Sequence, residues 1–479
     1  MHKPWCLAAA LVAFALAMIA ARASNATPLE DYRALLAEVE RVYASALANP
    51  RAVITPSAID WPVQPDMPSG AVSEMDIRIV LAQLARSAGA NGQLSVLRAQ
   101  PSVSAQALVI KNGALSLEAV RAAYPDAVGP HGFTQPIVIW PGARLEMRAG
   151  DVLRLSRPDG AFLANFGALL IEGGTIESAG AANTGAPEFA PFIVTSGAGF
   201  ALIRGAHLRG LGFGLSPAFS GLAFVKGGLY PSDAPSLIVD SLIEDIGGVT
   251  FRGSEEARLV GNIIAAPRRH GMELRATSRV TLQDNLILDA GRNAIRLTNR
   301  AKASLIMGNR LFKARSTAIH IETLSHEARV VDNLIWGTRG NALTMHRADC
   351  ADVAGNTFLH NRGKGVSLRA VQGATVTGNA FYTNTSAAIF LADQPGGVPT
   401  RIAGNIFAGN LAGLSAASGA KLLLIGNDFT EQFPRFFDGD LTIASPAILK
   451  DLTGTTALTL DAGDRPGSAL PPVTCEREG

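Results

Sequence analysis

The feature that most constrains the fold of this chain is an asparagine that returns at a nearly constant interval. The marked positions are Asn262, Asn285, Asn309, Asn333, Asn356, Asn379, Asn405 and Asn427. Their separations are 23, 24, 24, 23, 23, 26 and 22 residues. A period of this length is typical of solenoid proteins, in which each repeat forms one coil that stacks on the next.

Each repeat also contains a short β-rich run, in which a small residue is followed by an apolar, any and apolar residue. The runs read GVTFR, GMELR, AIRLT, AIHIE, ALTMH, GVSLR, AIFLA and GLSAA. Leucine-rich repeats have a similar period but require a leucine framework and a helical side, and these repeats lack both. We therefore predict an all-β fold, a right-handed parallel β-helix.

The recurring asparagines have a structural interpretation. Stacked at one corner of the solenoid, their amides can hydrogen-bond from coil to coil and satisfy backbone groups of the turns. We therefore assign them to the fold and look for chemistry elsewhere.

The repeat predicts which side chains face outward. Apolar residues of each run point to the core, and equivalent residues of parallel strands lie about 4.8 Å apart in neighbouring coils. The first outward column is Thr250, Glu273, Arg296, His320, Thr344, Ser367 and Phe390. The second is Arg252, Arg275, Thr298, Glu322, His346, Arg369 and Ala392.

Arginine and histidine dominate the charged residues of these columns, and lysine is absent from them. Charged residues are common on any solvated strand, so an ordinary surface is the alternative interpretation. Guanidinium groups, however, match carboxylates in a bidentate geometry, which favours a groove for a polyanion. The predicted substrate-binding residues are Arg252, Glu273, Arg275, Arg296 and Arg369.

The same columns contain candidate catalytic residues. Glu322, His346 and Arg369 occupy three successive coils, and a carboxylate beside an imidazole raises its basicity. Glu273, Arg296 and His320 form a similar set in the other column. We predict His346, Glu322 and His320 as the catalytic residues.

Segments outside the repeat suggest the domain organisation. Residues 1–23 combine Lys3, an apolar run and the sequence Ala-Arg-Ala, as a cleaved signal peptide does, although a retained membrane anchor is the alternative. The segment 24–130 is predicted to be partly helical, with helices near 27–48, at Ser73–Arg86 and at Ser116–Ala123. The β-helix is predicted over 131–430, and 431–479 forms a C-terminal cap whose phenylalanines close the open end.

Charge and cysteine content limit the partners. The formal net charge is +2, which argues against nucleic acid as a partner. We also predict that the chain is not an integral membrane protein once the signal peptide is removed. Cys350 and Cys475 remain in the mature chain and either pair or stay as two buried thiols. The chain has no HExxH motif, cysteine cluster or aspartate-rich calcium repeat, so we predict no metal or cofactor.

Several stretches resemble the periplasmic mannuronan C-5-epimerases of alginate biosynthesis. The resemblance is carried by QALVIKNGALSLEAVRAAYP, PIVIWPGARLEMRAGDVLRLSRPDGAFLANFGALLIEGGTI, APEFAPFIVTSGAG and APSLIVDSLIEDIGGVTF. It implies a right-handed β-helix enzyme of the periplasm that acts on a polyuronate, an anionic polysaccharide, and an exopolysaccharide export complex as its partner. In that family's reaction, arginine neutralises the carboxylate, a base removes the C-5 proton, and an acid returns a proton to the opposite face.

The chain departs from the family at the catalytic coil. Where the family has Asp-Pro-His-Asp, this sequence has Glu273, Leu274, Arg275 and Ala276, and the family's functional arginine aligns with Asn299. Three alternatives follow: a uronan epimerase whose base is His346 or His320, a uronan lyase, or a non-catalytic polyuronate-binding or export component.

Overall fold

The computed structural model describes residues 27–89, 92–227, 234–394, 398–417, 421–461 and 475. The chain forms two compact units, one from residues 57–301 and one from residues 1–56 with 302–479. The predicted signal peptide at 1–23 lies outside the described residues. Within the described part, no helix is long and apolar enough to cross a membrane.

The predicted fold class is confirmed, because both units are built from coils of short parallel strands. Each coil contributes one strand to each of three sheets, which we call sheets 1, 2 and 3. Sheet 1 contains the runs from which the outward columns were predicted.

The unit 57–301 has the following strands. Sheet 1 contains Ala71–Asp76, Gln106–Lys111, Ile137–Ile139, Leu163–Asn165, Ile193–Ser196, Gly221–Val225, Gly248–Arg252, Met272–Arg275 and Ile295–Thr298. Sheet 2 contains Gly113–Ser116, Ala143–Arg148, Ala168–Glu172, Phe200–Arg204, Leu237–Val239, Arg258–Val260 and Thr281–Gln283. Sheet 3 contains Val128–Gly129, Gly132–Phe133, Val152–Ser156, Thr175–Ala179, His207–Arg209, Leu242–Glu244, Ile263–Ala265 and Leu286–Leu288.

The other unit repeats this plan. Sheet 1 contains Ile319–Glu322, Leu343–His346, Val366–Arg369, Ala387–Ala392, Ala412–Ala417 and Phe437–Gly439. Sheet 2 contains Leu305–Met307, Arg329–Val331, Asp352–Ala354, Thr375–Thr377, Thr400–Ala403, Lys421–Ile425 and Leu458–Asp461. Sheet 3 contains Arg310–Phe312, Leu334–Trp336, Thr357–Leu359, Ala380–Tyr382, Ile406–Ala408 and Asp428–Glu431.

Stacking of equivalent residues fills the core. In the unit that contains 302–461, the buried rings of Phe358, Phe381, Phe407 and Phe429 form a continuous stack with centroid separations of 4.9, 5.2 and 4.5 Å. Parallel pairing without offset produces this stack, because a residue in one coil lies directly above its counterpart in the next.

The asparagines form a ladder, as predicted. From Asn309 to Asn427, each side-chain amide donates to the side-chain oxygen of the asparagine one coil further on, at 2.9 or 3.0 Å. A second ladder, which we did not predict, runs from Asn361 through Asn384 and Asn410 to Gln432. All these side chains are buried, so their polar groups must be satisfied inside the protein.

The helices agree with the sequence only in part. Helix α1, Pro28–Ala48, has the predicted capping box between Thr27 and Glu30. Helix α2, Ile77–Ala88, starts later than predicted, because residues 71–76 pair antiparallel with Gln106–Lys111 and the Asp76 side chain caps the helix by accepting from the Arg78 backbone N–H. The remaining helices are α3 (Gln93–Arg98), α4 (Leu117–Ala123) and α5 (Ser445–Lys450), with 3-10 turns at Pro50–Val53, Pro125–Ala127, Pro217–Phe219 and Thr442–Ala444.

Helices α2 and α3 determine which part of sheet 1 is open in the unit 57–301. Val80, Leu84 and Val96 pack in one buried cluster with outward side chains of the earlier strands. Those strand residues are Val109, Val138, Ala164, Val194, Ala223 and Val225. Parallel pairing also starts at Gln106–Lys111, before residue 131, where we predicted the β-helix to begin.

The phenylalanines from which the C-terminal cap was predicted differ in burial. Phe429 and Phe437 are buried, whereas Phe433 is 61% exposed. Strand Leu458–Asp461 pairs antiparallel with Lys421–Ile425 at the last coil of sheet 2. Of the two alternatives for Cys350 and Cys475, the structure has the disulfide.

Candidate functional site

The predicted outward columns have the expected register within each unit. In 57–301, Thr250 pairs with Glu273 and then Arg296, while Arg252 pairs with Arg275 and then Thr298. In 302–461, the first column is His320, Thr344, Ser367 and Phe390, and the second is Glu322, His346, Arg369 and Ala392. Two groups of polar side chains result, one on sheet 1 of each unit.

The group in 57–301 is an arginine cluster around Glu273, formed by Arg269, Arg275, Arg292 and Arg296. Arg296 Nη1 donates to Glu273 Oε1 at 3.2 Å. Burial lowers the pKa of the Arg269 guanidinium; Glu273 opposes this shift, and the charges of Arg292, Arg296 and Arg275 add to it. Four arginines and one carboxylate thus contribute charge to this group, and the carboxylate is paired with Arg296, so positive charge is in excess.

We expected the Glu273 side chain to face outward and contact the substrate, but its surroundings differ from that expectation. Only 5% of the residue is exposed, and its carboxylate is paired with Arg296. Glu273 is therefore a buried counter-ion of the arginine cluster.

The group in 302–461 contains two imidazoles close to one carboxylate. His320 Nε2 lies 3.3 Å from Glu322 Oε2. Burial is the main cause that lowers the pKa of His346, the charges of Arg347 and Arg369 lower it further, and Glu322 acts in the opposite direction. His346 is therefore neutral at pH 7 and can accept a proton.

Glu322 acts on His346 in the predicted direction, but its effect is outweighed. Burial and the charges of Arg347, Arg369 and His320 lower the pKa of His346, whereas the charge of Glu322 raises it, so the net shift is downward. The Glu322 carboxylate also lies beside the imidazole of His320, two residues away on the same strand face.

Arg369 is the exposed cation of the same group. Its Nε donates to Asp393 Oδ2 at 2.7 Å, and its side chain is 62% exposed. An ion pair this exposed contributes little free energy, so a ligand carboxylate can replace Asp393 at small cost.

Three basic residues near these two groups were missed in the sequence. Arg269 and Arg292 hold the same position in successive coils, just before the strand, where only a comparison of the turns would have revealed them. Lys364 also precedes its strand, and its Nζ lies 3.3 Å from the centre of the Phe390 ring. Burial, followed by the charge of Arg369, lowers the pKa of Lys364.

No group of three or more histidine, cysteine, aspartate or glutamate residues is arranged to bind a metal ion in the described parts of the chain.

Comparison with known proteins places the chain in a structural class. A family model described as "Right handed beta helix region" matches residues 225–358, and one described as "Periplasmic copper-binding protein (NosD)" matches residues 304–434. No curated protein matches the sequence. The fold and these matches define a right-handed parallel β-helix protein.

Among solved structures, the periplasmic alginate epimerase AlgG has a similar fold. Its crystal structure matches with a TM-score of 0.62 at 17% sequence identity, over 80% of this chain and 99% of that chain. A double mutant of AlgG matches with a TM-score of 0.65 at 18% sequence identity, also over 80% of this chain and 99% of that chain. At this level of sequence identity, the comparison shows that the folds are similar.

Proposed function

We propose that this protein is a polysaccharide-modifying enzyme that inverts C-5 of uronate residues in an anionic polymer of the alginate type. The observation that carries the proposal is the group His320, Glu322, His346 and Arg369 on one open sheet face. It combines a neutral imidazole, a second imidazole paired with a carboxylate, and an arginine whose partner is exchangeable. The sequence resemblance to mannuronan C-5-epimerases and the AlgG-like fold support the polymer class.

Each group has a role in this reaction. The C-5 proton of a uronate becomes acidic enough to remove only when its carboxylate charge is neutralised, and Arg369 supplies that charge. His346 takes the proton, since its lowered pKa keeps it in the basic form at neutral pH. His320, held by Glu322, returns a proton to the opposite face of C-5.

The proposed location is the periplasm. Residues 1–23 have the pattern of a secretory signal, and the Cys350–Cys475 disulfide is a bond that persists in oxidising compartments. AlgG and the NosD family are both described as periplasmic. The sequence resemblance to mannuronan C-5-epimerases also implies an association with an exopolysaccharide export complex, and this association is part of the proposal.

A non-catalytic polyuronate-binding protein is the second candidate, and the arginine cluster favours it. At the coil where the resembled family has its base, this chain has Arg275 beside a Glu273 that is already paired with Arg296. Such a site suits binding of a carboxylate, because its arginines outnumber its one carboxylate and that carboxylate is already paired.

One experiment separates these functions. The mature protein is incubated with polymannuronate in heavy water and followed by proton NMR. Deuterium at C-5 together with guluronate signals supports the epimerase, and unsaturated chain ends indicate a lyase. Binding without exchange supports the second candidate, and neither binding nor exchange contradicts both.

A further inference from the structure

A cleft of about 450 Å³ lies beside the arginine-bearing face of the unit 57–301. Phe213, Leu215, Pro217 and Phe219 form its apolar wall. The rings of Phe213 and Phe219 are stacked with centroids 5.4 Å apart, and Leu215 is 76% exposed. Its volume is in the range of small-ligand sites, which are mainly apolar and contain a few well-placed polar groups.

The cationic group of this cleft is Arg252. Its Nη1 donates to the backbone oxygen of Ala88 at 3.4 Å, and no carboxylate pairs with it among the residues that the structure describes. A guanidinium has five N–H donors, so most of those on Arg252 remain available for a ligand. A carboxylate is the group that such a fork matches best.

The cleft lies where the open face ends. Arg252 pairs in register with Arg275, the next outward residue of the column. In the opposite direction its partner is Val225, which is buried in the cluster formed with α2 and α3. A polymer that follows the column past Arg275 therefore meets these helices and cannot continue along the sheet.

We propose that this cleft is a subsite for the terminal uronate residue of the polymer. Arg252 pairs with the carboxylate of that residue, and the apolar wall contacts the carbon-bound face of its ring. This inference rests on the proposed substrate class, but it does not depend on catalysis.

The first test is stoichiometry. Mannuronate oligomers of increasing length are titrated into the full-length mature protein by isothermal titration calorimetry. Because each chain has one such terminus, we expect one protein bound per chain from short oligomers to chains several times longer. Several proteins bound per longer chain would overturn the inference.

The second test uses variants of the cleft. Arg252→Gln and Leu215→Asp are each expected to weaken binding of tetramannuronate about tenfold, a typical effect of losing a charged hydrogen bond or of adding a repelling charge. Arg258→Gln is the matched control, because Arg258 is exposed on sheet 2 of the same unit. Unchanged affinity in both cleft variants would contradict the proposal.

Two readouts keep the conclusions separate. Leu215 is largely exposed, so Leu215→Asp tests the cleft even where Arg252→Gln fails to fold. Heavy-water exchange with normal binding by the cleft variants would leave the epimerase proposal standing and reject the terminal subsite. Binding of one protein per chain that depends on Arg252, without deuterium exchange, would support the terminal subsite and reject the epimerase proposal.

Discussion

At the scale of single residues, surroundings decide what chemistry a histidine can perform. His346 is kept neutral by burial and by two arginines, whereas His320 contacts a carboxylate. His326 has a structural task, since its Nδ1 accepts a hydrogen bond from the backbone N–H of Asp349 at 2.9 Å. Residue type alone does not separate these roles.

Replacement of His346 tests the proposed base. We expect His346→Ala to reduce C-5 deuterium exchange by at least about 100-fold, the usual contribution of a general base. His360→Ala is the control, because His360 is an exposed histidine in a turn, and it should change the rate less than about twofold. Full activity of His346→Ala would exclude His346 as the base.

The charge of Arg347 provides a pH test of the same imidazole. The pKa of His346 is lowered, so activity should persist below the ordinary histidine pKa and fall only as the pH drops through the lowered value. Arg347→Gln removes one cause of the lowering, so the pKa of His346 and the acid limb of kcat/KM should move to higher pH. An NMR titration of the His346 ring measures this shift even in an inactive protein, and a pKa that moves down would contradict the assignment.

At the scale of secondary-structure elements, the buried amide ladders hold the corners of the coils. Asn356 donates to the backbone oxygen of Val330 and to Asn379, and its own side-chain oxygen accepts from Asn333. Asn356 is therefore bonded to the coil before it and to the coil after it. A break at one position leaves donors and acceptors buried without partners in two neighbouring coils.

We expect Asn356→Ala to lower the free energy of unfolding by about 2 kcal/mol or more, because buried polar groups lose their partners. Asn49→Ala is a suitable control, since Asn49 is exposed and caps its helix with no side-chain hydrogen bond. Urea unfolding followed by circular dichroism measures the difference. Equal midpoints for the two variants would show that the ladder does not stabilise the coils.

At the scale of the whole molecule, charge distribution matters more than net charge. The formal net charge is only +2, yet the arginine cluster combines four arginines with one glutamate. General attraction to polyanions should therefore be weak, and binding should depend on this cluster. Neutral polysaccharides should not be bound by it.

Substitution within the cluster checks this expectation. Arg275→Gln should weaken polymannuronate binding several-fold at low salt, by loss of a charged contact. Arg279→Gln is the control, because Arg279 is exposed and already paired with Glu255 and Glu256. Added NaCl should reduce binding of the parent protein more steeply than binding of Arg275→Gln, since fewer screened charges remain in the variant. Equal salt dependence would contradict a role for the cluster.

The sequence by itself determined the coils, the register and the residues that share each outward column. The reason is that a period near 23 residues, combined with alternating apolar positions, specifies parallel strands locally and repeatedly. The same spacing predicted the asparagine ladder and placed Arg275, His346 and Arg369 on sheet 1.

Only the tertiary structure decided which outward positions are open and how their charges pair. The covering of sheet 1 by α2 and α3 and the burial of Glu273 depend on contacts that no local pattern encodes, because residues far apart in the chain meet there. The direction in which the pKa of His346 moves also depended on the structure, since burial and the charges of neighbouring coils act together on the imidazole.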